Sequence, residues 1–201
     1  MPKPNGLKTV WLEAFVAIAA NGTQEAAAAE LGVKQTSVSR YVSALEGWLH
    51  KALLNPLVPG QLWPGADDFL VTAIDVLLEL KDARGTSSVE FGQLRVEWLE
   101  AFVARVDYRK QAAAAAHLGV EQADISRHLT RLGEWLGKGV IDKKASNHLS
   151  PTGERFLPTA RKVLRLLNDA KAPITASPPL ERYGPPPPIR FIRISKGIDD
   201  A

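Results

Sequence analysis

Apolar residues recur along this chain at helical spacing, and the pattern is written twice. Trp11, Leu12, Phe15, Val16 and Ala19 share one face of a helix expected from about Thr9 to Ala20. A second helix begins after Thr23, whose hydroxyl suits an N-cap, carries Glu25 and Glu30, and stops at Gly32. Val38, Val42, Leu45 and Leu49 bury one face of a third helix, Thr36 to Leu49. The stretch Leu53 to Leu62, broken by Pro59-Gly60, predicts a small β-hairpin. A fourth helix, about Gly65 to Asp82, closes the unit with Phe69, Leu70, Ala73, Ile74, Leu77 and Leu78 as its apolar stripe.

A shift of 87 positions lays the chain on itself without a gap. Trp11-Leu12-Glu13-Ala14-Phe15-Val16-Ala17 returns as Trp98-Leu99-Glu100-Ala101-Phe102-Val103-Ala104, and Ser39-Arg40 returns as Ser126-Arg127. Roughly two-fifths of the aligned positions are identical. Alanine bias accounts for the repeated Ala runs but not for the paired Trp, Phe, Gly and Ser-Arg positions, so the chain is an internal duplication. The second copy's fourth helix has the stripe Phe156, Leu157, Ala160, Val163, Leu164 and Leu167.

Helix, alanine-rich helix, tight turn, helix and hairpin is the order of a winged helix-turn-helix, in which the third helix enters a DNA major groove. The expected fold is mainly α: two tandem winged helix-turn-helix domains with short β-hairpin wings and a proline-rich C-terminal tail. The boundaries are residues 1–83 for the first repeat, 84–93 for a linker, 94–171 for the second repeat and 172–201 for the tail. The tail reads as polyproline II or disorder, or as a strand, Ile189 to Ser195, that adds to an edge.

The outward faces of the two third helices carry the candidate chemistry. The first offers Lys34, Gln35, Thr36, Ser37, Arg40 and Ser43; the second offers Gln122, Ser126, Arg127, Thr130 and Arg131. Arg pairs with guanine O6 and N7, and Gln with adenine N6 and N7, so these side chains suit base edges. The second hairpin adds Lys143, Lys144, Asn147 and His148 for phosphates or a minor groove. Asp124 lies among them and repels phosphate, or accepts from a cytosine amino group.

Each repeat resembles the N-terminal DNA-binding domain of LysR-type transcriptional regulators. In the first, Leu12, Phe15, Val16, Gly22-Thr23, Ala26-Ala27, Leu31, Lys34-Gln35, Val38-Ser39, Leu45-Glu46 and Leu49 carry the likeness. In the second it rests on Leu99, Phe102, Gln122, Ile125-Ser126, Leu132, Leu136-Gly137 and Leu149-Ser150-Pro151-Thr152-Gly153-Glu154. The family's Ser before Gln is Lys34 here in one repeat and Glu121 in the other. The resemblance implies double-stranded DNA as partner and dimerisation through the fourth helices. A second repeat and the tail stand where that family has its effector-binding domain, so no small-molecule sensor is expected.

Charge separates the copies. Residues 1–87 hold 7 Lys and Arg against 9 Asp and Glu, whereas residues 88–171 hold 14 against 10. Phosphate neutralisation dominates DNA affinity, which favours the second repeat as the better equipped. The first wing has no cation; its Leu57, Val58 and Trp63 are expected to pack on the fold, the alternative being an apolar patch for a protein partner. The fourth helices, or the tail, pair either within one chain or between chains of a homodimer.

The inventory excludes other classes. With no cysteine, the chain has no disulfide, thiolate metal site or Cys nucleophile, and its four histidines lack ligand spacing, so neither metal nor cofactor is expected. No phosphate-cradling Gly-rich loop is present, and the carboxylate pairs lie on expected helix surfaces, so the chain reads as no enzyme. No apolar run approaches the ~20 residues of a membrane span. The reading is a bacterial-type, cytoplasmic, nucleoid-associated regulator that occupies a promoter or operator sequence-specifically. Its rivals are a plasmid-type replication initiator and a winged-helix adaptor that has lost DNA.

Overall fold

The computed structural model describes residues 6–58, 60–85, 94–142 and 148–171. It contains eight helices among those residues: α1 Thr9–Asn21, α2 Gln24–Leu31, α3 Gln35–Leu49, α4 Ala66–Arg84, α5 Val96–Tyr108, α6 Gln111–Leu118, α7 Gln122–Trp135 and α8 Pro151–Lys171. α1 to α4 form the first repeat and α5 to α8 the second. Each expected helix is present, within two residues at either end.

Local chemistry sets the boundaries. The Thr23 hydroxyl accepts from Ala26 N at 3.1 Å and caps α2, leaving one fewer unpaired N–H at that terminus. α7 opens on a capping box between Glu121 and Asp124. Ser150 Oγ accepts from Gly153 N at 3.0 Å at the start of α8, ahead of Pro151 at the first helical position. Among the described residues each wing shows one antiparallel bridge, Leu54 with Leu62 in one repeat and Ile141 with Leu149 in the other.

Each repeat has its own core. Leu12, Phe15, Val38 and Leu45 are fully or almost fully buried in the first, as are Leu99, Phe102, Ile125 and Leu132 in the second. Phe15 meets Phe69 at 5.7 Å between ring centroids, and their counterparts Phe102 and Phe156 meet at 6.1 Å. Burying side chains of this size is worth about 1.5–3 kcal/mol each, which holds helices this short in place.

The apolar stripes are wider or differently phased than single-face periodicity predicts. Ala14, Ala17 and Ile18 of α1 are buried while Val16 and Ala19 are only half-buried. The reason is that α1 is covered from several sides, by α2, α3 and α4. On α4, Val76 and Leu80 are buried and Ile74 and Leu78 are exposed, because α4 packs on α1 and also on α8. On α8 the stripe is closer to expectation, with Phe156, Ala160, Val163 and Leu167 buried and Leu157 and Leu164 half-buried.

The pairing of α4 with α8 joins the two repeats within one chain, and the junction repeats itself after the 87-residue shift. Thr9 N donates to Leu94 O at 3.0 Å, and Val96 N donates to Leu7 O at 2.9 Å. Lys8 bridges antiparallel to its own counterpart, Arg95. The Arg84 guanidinium lies 5.3 Å from the Trp135 ring centroid, and Lys171 Nζ lies 3.5 Å from that of Trp48. Positions 7 and 94, 9 and 96, 48 and 135, and 84 and 171 are all duplication partners, so the repeats face each other about a pseudo-twofold axis. A single chain thereby has the symmetry of a dimer. One ion pair departs from it: Lys162 to Glu79 at 2.5 Å, for which the shifted positions hold Asp75 and Leu166.

Candidate nucleic-acid interface

In each repeat a short turn at a left-handed glycine, Gly32 or Gly119, joins the alanine-rich helix to the third helix. Ala27 and Ala28 are buried in the first repeat and Ala114 and Ala115 in the second, where the two helices cross. Side chains this small let the backbones approach, which turns the other face of α3 and α7 outward.

The sequence-selected residues lie on those outward faces. Lys34, Gln35, Thr36, Arg40 and Ser43 are exposed, with Ser37 partly so; Gln122, Ser126, Arg127, Thr130 and Arg131 are all exposed. His148 is exposed beside the second wing bridge. Lys143, Lys144 and Asn147 lie outside the described residues, as do Pro59, most of the linker and the tail.

The two faces differ in what their side chains already hold. On α7, Arg127 pairs with Asp124 and Arg131 Nη1 lies 3.1 Å from Glu134 Oε2. Gln122 Nε2 and Ser126 Oγ reach Gln111 Oε1 at 3.4 and 3.3 Å, and Thr130 Oγ1 donates to Ser126 O at 3.0 Å. Every candidate base-reading residue of α7 is therefore engaged within the protein. On α3, among the described residues, none of the six candidates makes a side-chain hydrogen bond or ion pair. For the two arginines the duplication names the cause. Glu121, Asp124 and Glu134 occupy the places of Lys34, Ser37 and Gly47. Glu46, the acidic residue of α3, is turned toward its wing, where Oε1 accepts from Leu53 N at 2.8 Å and Leu54 N at 3.1 Å. The i,i+3 spacing of Asp124 with Arg127 and of Arg131 with Glu134 was visible in the sequence as a self-pairing signal.

Beside the second wing the structure gathers His148 with three basic residues that the sequence did not single out. Arg105, Arg109, Lys110, His148 and the carboxylate of Glu154 line one cleft. Arg105 is 5% exposed and its guanidinium donates to the Arg109 carbonyl. Arg109 has φ 58°, a left-handed conformation that its counterpart Gly22 adopts at φ 73°. In the first repeat the wing approaches this turn closely: a Cβ on Gly60 would collide with the Gly22 carbonyl oxygen. Where that repeat has Gly22, Thr23 and Gln61, the second has Arg109, Lys110 and His148.

The first wing is apolar and open. Leu57 is 87% exposed, and Val58 and Trp63 are also exposed, contrary to the expectation that they pack on the fold. The bridge residues Leu54 and Leu62 face the core instead, leaving the tip residues in solvent. Val71, Ile74 and Leu78 on α4 are exposed as well. Among the described residues there is no cluster of potential metal ligands and no helix long and apolar enough to cross a membrane.

The model of bacterial regulatory helix-turn-helix proteins of the lysR family matches twice, over residues 9–57 and 96–154, together more than half of the chain. The HTH-type transcriptional regulator ShiR of Corynebacterium glutamicum (strain R) is 31% identical over 85 residues, covering 42% of this chain and 29% of that protein. The crystal structure of VV2_1132, a LysR family transcriptional regulator, is similar with a TM-score of 0.37 and 29% identity, over 39% of this chain and 29% of the other. The chain thus matches less than a third of the length of either relative. With the family model matched in both repeats, the chain belongs to the lysR family of bacterial regulatory helix-turn-helix proteins.

Proposed function

We propose that this protein is a sequence-specific DNA-binding transcriptional regulator in which one chain supplies both recognition helices of a dimer-like DNA-binding head. The observation that carries this reading is the pseudo-twofold junction: Leu7, Thr9, Trp48 and Arg84 meet Leu94, Val96, Trp135 and Lys171 in reciprocal contacts. A helix-turn-helix dimer reads two half-sites because its symmetry presents two recognition helices about one DNA turn apart, ~34 Å. Here α3 and α7 are unlike, so the site they occupy is asymmetric. It acts by occupying a promoter or operator in the bacterial cytoplasm, among the nucleoid's DNA.

Selection of bound sequences from random DNA, followed by native mass measurement of the complex, tests the reading. One chain on a site without two-fold sequence symmetry is expected. Two chains on a short palindrome would contradict it.

A second reading has its own observation. The exposed Leu57, Val58 and Trp63 favour a protein partner docked on the first wing, whether or not DNA is also bound. Salt separates the two, since phosphate contacts weaken steeply with ionic strength and an apolar interface does not.

A further inference from the structure

Resting on the DNA-binding reading, we propose that the two repeats divide the work: α3 reads base edges, whereas the second repeat holds the phosphate backbone through Arg109, Lys110 and His148 and takes little sequence information through α7.

Three observations carry this. First, sequence readout needs side chains able to leave the protein for a base edge. Lys34, Gln35, Thr36 and Arg40 are exposed and uncommitted, whereas on α7 Arg127 and Arg131 face Asp124 and Glu134, and Gln122 and Ser126 face Gln111. A guanine that approaches Arg127 must displace a carboxylate, and Asp124 and Glu121 repel the flanking phosphates. Second, the charge that makes the second repeat basic lies away from α7. From Glu121 to Leu136 there are three acidic residues against two arginines, while Arg109 and Lys110 gather with Arg105, His148 and a single carboxylate, Glu154, around the cleft beside the wing. Third, Arg109 is held left-handed where the first repeat has glycine. That conformation costs a residue with a Cβ roughly 1–2 kcal/mol, and a cation kept there at such a cost fits a contact made by its side chain. The neighbouring position changes as well: Thr23 caps α2, whereas its counterpart Lys110 gives α6 no side-chain cap.

The test uses the full chain and the sequence that the wild-type protein selects, with every single-base variant of it. Arg40→Ala is expected to flatten the preference in one half of the site, losing roughly 5- to 150-fold discrimination at one position. Arg127→Ala is expected to leave both affinity and preference within about twofold. Arg109→Gly is expected to weaken all sequences alike and to lower the salt slope by about one, while the thermal midpoint holds or rises. That last pairing separates a lost phosphate contact from a damaged fold.

Loss of preference in the other half of the site with Arg127→Ala would overturn the division, and so would unchanged affinity with Arg109→Gly. A free phosphate ligand is the competing occupant of the cleft. Inorganic pyrophosphate binding to the DNA-free chain, abolished by Arg109→Gly while DNA affinity stays constant, would assign the cleft to it and overturn the proposal. Selection of no sequence by the wild-type chain would instead remove the DNA-binding reading itself.

Discussion

Lys171, the last residue of α8, holds its ammonium 3.5 Å from the ring centroid of Trp48 on α3, across the junction between the repeats. Burial holds its pKa below the ordinary lysine value, with Glu100 acting against the shift. Arg84 stands in the same relation to Trp135 and Glu13: burial lowers its pKa, and Glu13 opposes that. A cation over an aromatic face is worth about 0.5–2 kcal/mol, more when water is excluded. The two contacts fasten the ends of α4 and α8 to the opposite repeat.

The two tryptophans differ in depth, which gives a first expectation. Trp135 is 1% exposed and also meets Phe156 at 6.2 Å, whereas Trp48 is half-buried. Trp135→Ala should cost about 3–5 kcal/mol in urea unfolding, and Trp48→Ala less than half as much. Equal losses would mean that Trp135 adds nothing beyond its cation contact.

Glycine 60 tests how the first wing is seated. Gly60→Ala combines φ 82° with a Cβ 1.7 Å from the Gly22 carbonyl oxygen, so it should destabilise the fold by well over the ~1–2 kcal/mol of a left-handed residue. Gly65→Ala has φ 86° but open space around it, and should show that conformational cost alone. A Gly60→Ala variant no less stable than Gly65→Ala would contradict the close approach.

His128 makes stability depend on pH. Burial lowers its folded pKa below 6.5; Glu97 and Asp124 oppose that shift, and Arg127 and Arg95 add to it. Just below pH 6.5 the unfolded chain therefore binds more protons than the folded one, and stability falls as pH drops through that value. Between pH 7.5 and 5.5 the urea midpoint of His128→Gln should fall less than that of the wild type. An equal fall in both proteins would show that His128 does not contribute.

Much of this architecture is legible in the sequence because its causes are local. The Thr23 cap, the Gly32 stop and the apolar phase of α3 each depend on a few neighbouring residues. The phase of α4 was not legible, since α4 packs on α8, more than 60 residues further along the chain, as well as on α1, and Val76 and Leu80 are buried while Ile74 is left outside. Nor did the stripes reveal whether they pair within a chain or between chains, because the same apolar face serves both. Among the site residues, position on the outward face could be read directly. Commitment could not: Gln111 reaching Gln122 and Ser126 brings α6 to α7, and Arg109's backbone becomes telling only when set against Gly22 of the other copy.

One chain is expected to lay two unlike recognition helices on one site. Because the chain has no cysteine, a DNA-cleaving iron chelate can be tethered at a single chosen position. Ser43→Cys on α3 and Thr130→Cys on α7 are exposed positions suited to it. Each label should cut one cluster of nucleotides, the two clusters lying in opposite halves of the footprint about one helical turn apart, ~34 Å. Cutting in both halves by each label alone would mean that two chains share a symmetric site, and would contradict the account.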